Sequence, residues 1–180
     1  MADHVPKIRL LQASVDPEDE SEFRILIDDK FVKYITIDAG LYDSDDMCFE
    51  PSLVSLMPPL PPGDWNKGRI SRNPKTRDIH FSAVSKTHLP GITTTWHPTR
   101  VDHLELREVQ KLRSNVYEVA YPGFSCTVVA KFARFEWEVP QLEAEMTAYK
   151  WIEGPTDWSG VSRPLDRGRE GYWVSHFPHL

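Results

Sequence analysis

One hundred and eighty residues suffice for one well-buried core, or a core with an appended subdomain, and 40% hydrophobic with 27% charged residues excludes wholesale disorder. The net charge of −6 is uneven: residues 16–50 hold 12 acidic and 3 basic side chains, a local −9, which leaves +3 for the rest. That balance argues against nucleic acid as a partner, and the lack of any run of about eighteen apolar residues argues against a membrane span.

The opening Met1-Ala2-Asp3-His4 has neither the basic nor the apolar part of a targeting segment, and Cys48 and Cys126 stand far apart. A cytoplasmic protein with free thiols is expected. The seven histidines show neither HExxH spacing nor a Cys-x-x-Cys partner, so no metal site is expected.

Residues 23–37 alternate in strand fashion. Phe23, Ile25 and Ile27 precede an Asp28-Asp29-Lys30 turn, and Phe31, Lys33, Ile35 and Ile37 follow, which predicts an antiparallel hairpin with one buried face. Gly40 to Glu50 reads as an acidic loop. Pro58-Pro59-Leu60-Pro61-Pro62-Gly63 is the strongest break, because proline fixes φ and removes amide donors. A stiff connector is favoured there over a polyproline ligand, since neither PxxP register is followed two residues later by Arg or Lys. Residues 64–100 read as polar loop with one strand, Ile79 to Val84, and the basic run Lys67, Arg69, Arg72, Lys75, Arg77 as a solvated loop without function. Residues 1–100 are thus expected to form an N-terminal extension with a hairpin and a Pro-rich connector.

After Pro98 the pattern predicts a three-stranded antiparallel meander near 104–112, 115–121 and 124–133, with Pro122-Gly123 in its second turn. Pro140 stands at a first helical position, Gln141 to Glu153 reads as helix, and Gly154-Pro155 ends it. A last strand is expected at Tyr172 to Phe177. The fold class is α+β: an antiparallel sheet with one packed helix, plus the N-terminal hairpin.

In strand 124–133 both faces are largely apolar, which predicts a central strand covered on both sides. Lys131 then stands between Val129 and Ala133, where an unpaired ammonium is costly, and it needs a carboxylate or a phosphate. On the helix, Leu142, Met146, Tyr149 and Ile152 define an apolar face; Glu145 lies inside that arc and Glu143 on its polar flank. A Lys131–Glu145 ion pair is expected. The residues alone leave it open whether such a pair is structural, or whether the lysine snorkels past a solvent-facing glutamate.

Val128-Val129-Ala130-Lys131 resembles the Val-Ala-Ile-Lys strand of protein kinases, Glu145 resembles the glutamate of the helix that follows, and Pro122-Gly123 takes the place of the hairpin between their second and third strands. The wording from Val128 to Pro140, with this helix, is similar to kinase-like proteins of filamentous fungi related in style to aminoglycoside phosphotransferases. The likeness covers about residues 104–177 and implies a small lobe over 101–180 without its large lobe. It also implies that Lys131 would reach the α- and β-phosphates of ATP, that Glu145 would hold Lys131 there, and that Val129 would lie over the adenine.

Val129 stands where kinases usually carry alanine, a small departure, and two larger ones limit that implication. The segment Val109 to Tyr117, in the place of the glycine-rich loop, contains no glycine, so backbone amides cannot approach phosphates as closely. Downstream of Glu145 there is no His-Arg-Asp or Asp-Phe-Gly; Asp157, Asp166 and Glu170 lie in a connector, and the chain ends where a hinge to a second lobe would begin. ATP and Mg are therefore weak expectations. Three functions follow: a non-catalytic small-lobe binding or accessory module with a protein partner or self-association; a fragment or subunit of an ATP-dependent phosphotransferase; or an accessory protein of a fungal metabolic pathway that works through residues 1–100.

Overall fold

Asp28 and Asp29 both take left-handed backbone angles (φ 52° and 53°), which aspartate tolerates better than most side chains, and the Lys30 N–H donates back to the Ile27 carbonyl at 3.0 Å. This turn closes the expected hairpin between β2 (Ser21–Ile27) and β3 (Phe31–Ile37). The computed structural model describes residues 5–94 and 100–152, and the chain divides into two compact units, Met1–His88 and Leu89–Leu180.

The first unit is a five-stranded sheet ordered β1-β2-β3-β4-β5, with β1 at Ile8–Ser14, β4 at Lys67–Arg72 and β5 at Ile79–Ser85. All pairs are antiparallel except β3–β4. A parallel pair needs a long crossover, and residues 38–66 provide it with two short helices, α1 (Ser44–Cys48) and α2 (Glu50–Leu56). Phe23, Ile25, Ile27, Ile35, Ile37 and Ile70 form one core with Met47 of α1 and Leu53 of α2. Each such side chain contributes roughly 1.5–3 kcal/mol on burial.

Three expectations for this unit are corrected. Residues 40–50 are not simply an acidic loop: Asp43 caps α1, accepting from the Asp45 N–H at 2.9 Å, and Asp45 and Asp46 sit in its first turn, where the helix dipole favours negative charge. The segment 64–100 contains β4 as well as β5, and Lys67, Arg69 and Arg72 lie on β4 rather than in a loop. Arg69 pairs with Glu20 at 2.8 Å and Asp38 at 2.6 Å. The hairpin is not covered on one face alone, since Arg24, Leu26, Val32 and Tyr34 on its other face are also buried.

Gly68 is required by packing, because a Cβ there would meet the Phe81 ring at 3.0 Å and the Trp65 ring at 3.1 Å. Trp65 is fixed in turn by its indole N–H to the Pro61 carbonyl at 2.9 Å and by the Lys33 ammonium over its ring.

In the second unit, β6 (Arg107–Arg113), β7 (Val116–Ala120) and β8 (Val128–Lys131) form the expected antiparallel meander, and α3 (Val139–Ile152) follows through a 3₁₀ turn at Glu136–Glu138. The α+β class holds. Val119, Val128 and Ala130 form the sheet's core with Leu106, Tyr117, Phe124 and Phe132, while α3 buries Val139, Leu142 and Met146.

Two details differ from expectation. The third strand spans four residues, not ten, because the chain turns at Pro122-Gly123 and pairs only once Val128 faces Val119. Among the described residues β8 is an outer strand and β7 the central one. The expected strand at 172–177 lies outside the described residues.

Candidate functional site

Strand β8 sets its residues alternately against two surroundings. Val128 and Ala130 enter the sheet's core, whereas Val129 and Lys131 share the other face, where Lys131 is in register with the buried Val116. Lys131 thus emerges beside apolar surface on a strand that, among the described residues, pairs on one side only.

The helix α3 brings the counter-charge. Leu142 and Met146 are buried, Tyr149 is half-buried, and Glu145 lies on the same side, as the helical period requires. The Lys131 ammonium and the Glu145 carboxylate meet in an ion pair with side chains 21% and 26% exposed. The pair is therefore intermediate between a surface salt bridge and a dry one. Water still reaches it, which reduces the desolvation cost of holding two charges together. Val129 is half-buried and sits two residues before Lys131 on the same face. The geometry thus brings together Lys131 and Glu145, with Val129 on the same strand face as Lys131.

A second carboxylate lies close in sequence and is more deeply buried. Glu138 accepts from the Arg134 N–H at 2.6 Å, the Phe135 N–H at 3.2 Å, the Arg134 guanidinium at 2.6 Å and the Asn115 side-chain amide at 2.5 Å. Burial alone would raise its pKa. The bonds from the Arg134 side chain and backbone and from Asn115, with the nearby guanidinium charge, outweigh burial and hold the carboxyl below its ordinary value.

Asn115 itself ends the β6–β7 hairpin with a left-handed backbone (φ 62°), and its carbonyl accepts from the Phe132 N–H at 2.9 Å. Sequence reasoning missed this network. The only local signals are the four-residue spacing of Arg134 and Glu138 and an asparagine in a tight turn.

Glu143, expected on the polar flank of α3, has a fixed partner set. Its carboxylate accepts from the Thr93 N–H at 2.8 Å, the Thr93 hydroxyl at 2.9 Å and the Thr94 N–H at 2.8 Å. Slight burial would raise its pKa, but these bonds from Thr94 and Thr93 lower it. Glu143 thereby moors the segment entering this unit to the helix.

Among the described residues, no group of three or more His, Cys, Asp or Glu side chains is arranged to hold a metal ion, and no helix is long and apolar enough to cross a membrane. Comparison with protein-family models, curated proteins and solved structures returns no match to the chain.

Proposed function

We propose that the second unit is a kinase-like small lobe that serves as a non-catalytic binding or accessory module. The observation that carries the reading is the Lys131–Glu145 pair, made between the last strand of an antiparallel meander and the helix after it. That is the strand order and pairing the resemblance to kinase-like proteins implies. The glycine-free turn at Ser114-Asn115 favours a structural use of the pair over phosphate binding, since side chains there keep backbone amides from cradling an anion. Exposed Val109 and Leu112 on β6 and exposed Trp137 favour a protein partner or a second copy as the bound species.

Size-exclusion chromatography with crosslinking, and a phosphate-release assay with Mg-ATP on the same purified 180-residue chain, test this reading together. The expected result is self-association of the chain, seen by elution and crosslinking, with no γ-phosphate turnover. A strict monomer that transfers or hydrolyses the γ-phosphate, and loses that activity in Lys131→Met, would instead make the chain part of a phosphotransferase.

A further inference from the structure

We propose that Glu138 is a positioning residue: it fastens the β6–β7 hairpin turn to the start of α3 and the end of β8, making that turn a fixed wall beside Lys131 rather than a loop that closes on a ligand. The consequence for ligands rests on the reading of the Lys131 site given above; the fastening itself does not.

A two-residue turn that needs a left-handed backbone is usually served by glycine, yet glycine brings nothing with which to hold the turn in place. Asn115 accepts the left-handed angle and adds a side-chain donor, which it gives to Glu138 at 2.5 Å. Its carbonyl meanwhile takes the N–H of Phe132, the residue immediately after Lys131. One residue of the turn is thus tied both to the end of β8 and to a carboxylate at the entrance of the helix that carries Glu145.

Glu138 is suited to this role by its other bonds. Two backbone amides and one guanidinium hold the carboxylate before Asn115 is considered, so the acceptor is already in place for the turn. Glu138 lies seven residues, about two helical turns, before Glu145, and the 3₁₀ turn runs directly into α3. The same carboxylate therefore sets the turn and the start of the helix relative to each other. A loop that had to fold down over a phosphate would lack such a bond to a buried carboxylate.

Amide hydrogen exchange on the full chain, without nucleotide, tests the fastening. Asn115→Gly keeps the left-handed angle and deletes the side-chain donor, along with the weak 3.3 Å bond its Oδ1 accepts from the Ser114 hydroxyl, and Glu138→Gln keeps the shape of the side chain while removing its charge and one of its two accepting oxygens. Exchange at the Phe132 amide is expected to quicken by about tenfold or more in both variants relative to the amides of the β7–β8 ladder. Unchanged Phe132 exchange, or a uniform rise across the whole unit, would overturn the proposal by showing that the network carries only general stability. Mg-ATP melts address the Lys131 site separately, so that a protein indifferent to nucleotide leaves the fastening intact, while a failed exchange test leaves the site reading intact.

Discussion

Glu138→Ala is expected to be among the most damaging single changes in the second unit, costing about 3–5 kcal/mol, as removal of one member of a buried ionic cluster does. It strands the Arg134 guanidinium and leaves the Arg134 and Phe135 amides and the Asn115 side chain without their acceptor. Glu138→Gln, which keeps the shape and one of the two accepting oxygens but turns the other into an NH2 group facing donors, should cost less than the alanine change. The pH dependence has a definite sign. The folded carboxyl titrates below the ordinary glutamate value of about 4.3, so its contribution is complete above that value and is lost as pH falls through the lower, native one. Unfolding followed by exchange of β7 and α3 amides at pH 7 and near pH 3 should therefore show the wild type losing more stability than Glu138→Gln. Parallel losses would mean that the carboxylate is not specially held.

The Lys131–Glu145 pair should show coupling of a different size. Exposed pairs contribute about 0–1 kcal/mol, and breaking a fully buried pair costs about 3–5 kcal/mol. With side chains 21% and 26% exposed, this pair lies between, and Lys131→Met and Glu145→Leu alone should each cost about 2 kcal/mol. Either change removes one member of the pair and leaves the other charge partly buried. The double variant replaces both charges with packing groups, so its cost should fall short of the sum by about 1–2 kcal/mol. Strictly additive effects would show that the two side chains are neighbours without being energetic partners.

The parts of the fold legible in the sequence are those where the side-chain period runs unbroken along the element. Phe23 to Ile37 alternates around a turn of consecutive aspartates, and the hairpin appears in the expected register. The helix α3 holds Pro140 in its first turn, with Leu142 and Met146 spaced by one turn, and the inward position of Glu145 comes from the same arithmetic.

Elements held by tertiary contacts gave weaker signals. Strand β4 has Ile70 as its only aliphatic residue, so Lys67 to Arg72 reads as a charged loop until Glu20 and Asp38 are seen beside Arg69. A register shift between Leu10 and Gln12 interrupts the alternation of β1, and one amide of that edge strand, Leu10 N–H, is held by Glu50 of α2 at 2.6 Å. The helices α1 and α2 are too short to show a full amphipathic period. Apolar character on both faces of residues 124–133 suggested a central strand, but buried Val116 and the helix account for cover beside Lys131 without a fourth described strand. The Glu138 network unites residues 115, 132, 134, 135 and 138, and its long-range member, Asn115, is found only once the hairpin turn is placed beside the end of β8.

On the function proposed, Lys131 and Glu145 serve the architecture of a non-catalytic lobe and not a working nucleotide pocket. Thermal melts of the wild type and of Lys131→Met, each with and without millimolar Mg-ATP, test it most directly. A pocket filled at a hundredfold excess over its dissociation constant would gain about 2.7 kcal/mol of stability. Lys131→Met is expected to melt lower than the wild type, with Mg-ATP shifting neither. A large ATP-dependent rise in the wild type, abolished in Lys131→Met, would contradict it.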